Sequence, residues 1–170
     1  RRQRQMCIRD RPEEGPRQVA GRICQAAREC LAAAGLGPEQ VSGAGIGCPG
    51  TIDLEDGIVA FAPNLPGWRD VPLRSLIADE LGRPCSLDND ANVAALAEHW
   101  VGAGRGASSL VLLTLGTGIG GGIILDGRIW HGATGAAGEI GHMSINPDGP
   151  RCQCGNRGCY EVYGLSLIHI

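Results

Sequence analysis

The 170-residue sequence contains no lysine: all 15 basic side chains are arginine. Chemistry that needs a lysine amine is excluded, including the lysine of a Walker-type phosphate loop. Aromatic residues are few, with three Trp, two Tyr and one Phe. No apolar run approaches the roughly 20 residues a transmembrane helix needs. The basic start Arg1-Arg2-Gln3-Arg4 is followed by charge where a secretion signal would be apolar. These absences disfavour a membrane or secreted protein and predict a cytoplasmic one. Positive charge is also scarce in the body of the chain. Six arginines fall in residues 1–17, but residues 18–170 carry nine arginines against fifteen acids, a net of −6. A nucleic-acid-binding domain leaves a basic footprint over its body, so no nucleic-acid partner is expected.

What is present suits one ordinary domain or part of a larger protein, at 17.7 kDa with 43% hydrophobic residues. Eight cysteines occur, and three of them (Cys152, Cys154, Cys159) crowd into eight residues. The other five are scattered through apolar or glycine-rich segments and cannot all pair among themselves. A reducing compartment with one metal cluster explains this better than a disulfide framework.

The pattern along the chain alternates helix and strand. Val19, Ile23, Ala26, Cys30 and Ala34 recur at steps of three or four and predict an amphipathic helix over 17–34. Residues 41–50 read as a strand of small residues, 63–72 as a proline-bounded loop, and 72–82 as a helix that stops at Gly82. A short strand over 84–87 runs into Asp88-Asn89-Asp90 and then a helix from Ala91 to Val101. Ser109–Leu115 is a β-rich run ending in a glycine turn over Gly116–Gly122, with the strand resuming over Ile123–Leu125. Asp126-Gly127 is a tight-hairpin signal. The mixture predicts an α/β fold.

Three constellations carry chemistry. His142, Cys152, Cys154 and Cys159 form a closed set of one imidazole and three thiolates, the kind structural zinc prefers. The Gly116–Gly122 turn exposes backbone N–H groups, with the Thr117 hydroxyl beside them, to an anionic ligand; a glycine-rich hairpin bend is the plain alternative. Asn64, Asn89, Asp90, Glu139 and Glu161 are donors and acceptors at segment ends, suited to a polyhydroxylated ligand. Taken singly each is more often a cap or a solvated turn residue, and capping is the plain reading of Asp88 or Asp90. Glu139 precedes His142 by three residues and Glu161 follows Cys159 by two, so a folded zinc loop holds both carboxylates near one spot.

Gly138-Glu139-Ile140-Gly141-His142, followed by Cys152-Gln153-Cys154-Gly155-Asn156-Arg157-Gly158-Cys159-Tyr160-Glu161, resembles the signature of the ROK family of bacterial sugar kinases and sugar-responsive repressors. Leu115–Gly122 resembles its second phosphate motif, Asp88-Asn89-Asp90-Ala91-Asn92 its catalytic segment, and Ala62–Trp68 its sugar-side loop. Among members the chain looks most like the bacterial glucokinases. The resemblance implies an actin-like, ribonuclease-H-like α/β fold and phosphorylation of a hexose, glucose first, by ATP with Mg2+, or by polyphosphate as in some relatives. It implies Asp90 as the general base; Asn64, Asn89, Glu139, His142 and Glu161 as sugar ligands; and Gly116, Thr117, Gly118 and Gly120 at the nucleotide. His142 would serve both zinc and sugar, the zinc being structural, and the whole protein would be a homo-oligomer.

The family's first phosphate motif, of the Asp-x-Gly-Gly-Thr type, has no counterpart here, and after Gly164 the chain runs Leu165-Ser166-Leu167-Ile168-His169-Ile170 where the family continues into a long helix. The expectation is therefore an internal fragment, inactive by itself: residues 1–107 a partial small lobe lacking its first strands, 108–164 the start of the large lobe, and 165–170 a tail foreign to the family. The alternative is a sugar-sensing repressor of the same family. Retention of both Asp90 and the glycine turn favours a kinase, since a sensor needs neither.

Overall fold

The computed structural model describes residues 14–62 and 64–165. Cys7, the arginine-rich start and all but the first residue of the 165–170 tail lie outside the described residues. The chain divides into two compact units with the boundary between Asn89 and Asp90.

In the first unit, helix α1 (Pro16–Ala33) opens with proline at its first turn, where the missing N–H costs nothing. It buries Ala20 and Cys24, four residues apart on one face, and packs against helix α2 (Leu73–Leu81). Helix α2 buries Leu73 and Ile77 by the same spacing and ends on Gly82 in the left-handed conformation, whose N–H donates to the Ala78 carbonyl. Strands β1 (Ala44–Cys48) and β5 (Cys85–Asn89) pair in parallel, Ala44 opposite Cys85 and Cys48 opposite Asn89. A second sheet is an antiparallel meander of β2 (Thr51–Asp53), β3 (Ile58–Phe61) and β4 (Arg69–Val71). The 63–72 segment is thus corrected from a loop to a loop plus β4. Ile52, Val59, Trp68, Val71, Leu73, Ile77 and Leu87 share one core with the two buried faces of α1 and α2.

The second unit begins with helix α3 (Asp90–Val101), which packs on an antiparallel sheet of β6 (Leu110–Leu115), β7 (Ile119–Leu125) and β8 (Arg128–Ile129). The β7–β8 turn is Asp126-Gly127, with φ of 49° and 75°, the doubly positive pattern that matches strand twist. The strand after the glycine turn starts at Ile119, not Ile123: Gly120, Gly121 and Gly122 pair with Thr114, Leu113 and Leu112. These glycines are strand residues because their neighbours leave no room for a side chain. A Cβ on Gly122 would stand 2.8 Å from the Ala91 carbonyl oxygen of α3, and one on Gly121 would stand 2.7 Å from the Gly138 carbonyl oxygen. A 3-10 turn (Ile140–His142) and the short helix α4 (Tyr160–Gly164) complete the unit. Val111, Leu113 and Leu115 of β6 are exposed. Among the described residues no helix is long and apolar enough to cross a membrane.

Ile77, 1% exposed, lies at the centre of the first core. Ile77→Ala is expected to lower unfolding stability by about 2–5 kcal/mol through lost burial and a residual cavity. The measurement is a shift of the urea midpoint at unchanged slope. Trp100→Ala, at a residue 75% exposed, should stay within about 0.5 kcal/mol.

Candidate active site and metal centre

His142 closes the 3-10 turn, Cys152 and Cys154 sit in the following loop, and Cys159 precedes α4. The loop is folded back by its own backbone: Cys152 N–H donates to the Asn156 carbonyl at 2.8 Å, Gly158 N–H to Pro150 at 2.8 Å, and Tyr160 N–H to Met143 at 2.9 Å. One ligand atom from each of the four residues lies within 4.8 Å of all the others. Cys154 Sγ and Cys159 Sγ are 3.6 Å apart, and His142 Nδ1 is 3.6 Å from Cys152 Sγ. A tetrahedral metal with bonds of about 2.3 Å to sulfur and about 2.0–2.1 Å to nitrogen sets sulfurs about 3.8 Å apart and sulfur about 3.6 Å from nitrogen. The spacing fits such an ion and is far beyond a disulfide bond of about 2.05 Å. Burial pushes the Cys152 thiol up to about 12 and raises Cys159 as well, while the Asn156 N–H beside Cys154 lowers that thiol. Buried thiols of this kind ionise when a cation replaces their protons. All seven cysteines among the described residues are free.

The imidazole of His142 is oriented. Nδ1 faces the thiols and lies 3.7 Å from Glu161 Oε1, whereas Nε2 points the other way, 3.9 Å from Glu139 Oε2. One ring nitrogen therefore belongs to the sulfur cluster and the other to the carboxylate side. Burial raises the Glu139 carboxyl; His142 opposes that shift, and the charges of Asp90 and Glu161 add to it. Asp90, Glu139, His142 and Glu161 thus form one electrostatic neighbourhood in the second unit. Asp90 is exposed at the start of α3, and its Oδ1 accepts the N–H of Ala91 at 3.0 Å, a bond to its nearest neighbour rather than across the first helical turn.

Glu161 does more than face the cluster. Its Oε2 accepts the Ile119 N–H at 3.2 Å and its Oε1 lies 3.5 Å from Cys152 Sγ, so one carboxylate joins the cysteine loop to the start of β7. The bend before that strand is only Gly116–Gly118. Gly116 has open space where a side chain would be, Thr117 is exposed, and Gly118 faces Glu161 Oε2. Gly120 lies within β7, opposite Thr114 and against Ala91. Sequence reasoning missed Glu161 as a brace; its place two residues after Cys159, on the first turn of α4, was the available signal.

Asn64 and Asn89 belong to the first unit. Asn89 ends β5, and its side-chain Nδ2 donates to the Gly50 carbonyl at 3.0 Å. Asn64 is exposed on a loop whose base is closed by the Ala62 N–H to Trp68 carbonyl bond, 3.1 Å.

The glucokinase of Thermotoga maritima is 50% identical over 124 residues, which cover 73% of this chain and 39% of that protein. The xylose repressor of Caldicellulosiruptor bescii is 47% identical over 126 residues, covering 74% and 31%. Among solved structures, the ROK hexokinase of Thermus thermophilus superposes with a TM-score of 0.75 at 39% identity, over 89% of this chain and 52% of that one. A ROK family glucokinase from Streptomyces griseus, in complex with glucose and AMPPNP, gives the same TM-score and identity over 89% and 47%. The chain spans well under half the length of these two curated relatives. It shares the α/β, actin-like fold of the ROK sugar kinases, and with the ROK family model matching residues 2–165, it belongs to the ROK family.

Proposed function

We propose that the protein containing these residues is a cytoplasmic, homo-oligomeric hexose kinase that transfers the γ-phosphoryl group of ATP to the 6-hydroxyl of glucose. Residues 1–107 would belong to its small lobe, 108–164 to its large lobe, and 165–170 to neither. The observation that carries the reading is Asp90: an exposed carboxylate on the first residue of a helix, in the same neighbourhood as Glu139 and His142. The sugar oxygen forms the new bond to the γ-phosphorus, the bond to the bridging oxygen breaks, and Asp90 takes the hydroxyl proton. Asn64, Asn89, Glu139, His142 Nε2 and Glu161 hold the sugar hydroxyls. Gly116, Thr117, Gly118 and Gly120 lie along the nucleotide phosphates, where Mg2+ supplies charge neutralisation.

The metal in this reading is structural zinc on His142 Nδ1, Cys152, Cys154 and Cys159, and the fit of the ligand spacing supports it. Its work is to shape the loop that presents Glu139 and Glu161. A sugar-sensing repressor is the second reading, favoured by the repressor relatives. Asp90 and the open glycine bend are needed only by a kinase.

Two measurements test this. Elemental analysis of protein purified without chelator should give one zinc per chain, and Cys154→Ser should lose it; zinc-free protein with an ordered 138–161 loop would overturn the assignment. In the full-length enzyme, Asp90→Asn should lower kcat by about 10²–10⁴-fold with hexose affinity and melting temperature nearly unchanged. A helix-cap role would instead show near-normal kcat and a stability loss of about 0.5–2 kcal/mol. Hexose binding without turnover in the wild type would point to the repressor.

A further inference from the structure

Among the described residues, Asn92 is the only polar or charged residue that is fully buried, at 3% exposed. It lies two residues after Asp90, on the first turn of α3, in a helix whose other buried residues are Ala91 and Ala95. Burying a primary amide is costly unless it is hydrogen-bonded. The position of Asn92 indicates what the amide packs against. Its Oδ1 stands 3.3 Å from where a Cβ on Gly138 would be, so the amide rests directly on the residue preceding Glu139.

The Gly121 carbonyl closes the same face of Gly138. A Cβ there would collide with the Gly121 carbonyl oxygen of β7, so Asn92 and that strand meet at one face of Gly138 and leave no room for a side chain. One side chain therefore spans from the helical turn that carries Asp90 to the segment that carries Glu139. The electrostatic influence of Asp90 on Glu139 agrees with this proximity.

We propose that Asn92 is a positioning residue that sets the distance between Asp90 and Glu139, and so the placement of the sugar hydroxyl relative to its base. The inference rests on the kinase reading, in which Asp90 is the base and Glu139 a sugar ligand. It acts through those two groups and touches neither substrate. A misplacement of about 1 Å at a reacting centre costs on the order of 10²-fold. Asn92→Leu, and the smaller Asn92→Ala in case the leucine variant does not fold, are made in the full-length protein. Ala95→Gly, at a buried residue of the same helix packed on Gly122, serves as the structural control.

The expected result for Asn92→Leu or Asn92→Ala is a fall of about 10²-fold in kcat/KM for the hexose, with the KM for ATP within about twofold and zinc content unchanged. Ala95→Gly is expected to lower the melting temperature and leave the kinetic constants near wild type. Hydrogen exchange of the 139–140 amides should quicken in both Asn92 variants. Variants that melt lower but keep wild-type kcat/KM, or that weaken ATP and hexose equally, would overturn the proposal. Wild-type protein that phosphorylates no hexose would strike the kinase reading instead, and unchanged exchange at residues 139–140 would then overturn the role of Asn92 by itself.

Discussion

The second unit depends on how closely backbones approach β7. Gly120 and Gly122 face α3, where Ala91 and Ala95 leave no space for a side chain, and Gly121 abuts Gly138. Any larger residue would drive the helix or the 138–141 segment away from the strand. Removing side chains from three consecutive strand positions sacrifices apolar burial and backbone rigidity. What the chain gains is a short fixed distance between the helix that begins with Asp90 and the segment that holds Glu139 and His142.

A second constraint fixes the far side of that segment. The cysteine loop contains little apolar material and is closed by turns, and the proposed metal ion would add the rigidity that burial does not supply. Glu161 then transmits the order of the loop to the start of β7 through the Ile119 N–H. His142 divides its two nitrogens between the sulfur cluster and Glu139. The Glu161 carboxylate is engaged at both oxygens, by the Ile119 N–H and by Cys152, and so ties the loop to the strand.

The features legible in the sequence were those written in local spacing. Ala20, Cys24, Leu73 and Ile77 follow the helical repeat, Asp126-Gly127 marks its own turn, and the four metal-ligand residues are close together in the chain. What was not legible depended on partners distant in sequence. Strands β2, β3 and β4 are three or four residues long and carry Asp and Arg, so only their pairing makes them strands. The glycines from 120 to 122 look like a continuation of the Gly116 turn, because the atoms that exclude their side chains belong to Ala91, Ala95 and Gly138. Nothing local to Asn92 announces that residue 138 will lie beside it.

The two pairing patterns differ in how far apart their partners lie along the chain. β6, β7 and β8 are successive strands joined by tight turns, so each new strand finds its partner a few residues away. β1 and β5 are parallel, and Ala44 must wait for Cys85 across the whole β2–β4 meander and α2. Loop-closure entropy falls before such a contact returns any energy, and distant parallel pairing is intrinsically slow. As the chain emerges from the ribosome, β1 is therefore left without its partner while the meander and α2 are being made. The later-synthesised sheet of the second unit can close as soon as its strands appear, so of the two units the earlier one holds the parallel pairing that takes longer to assemble.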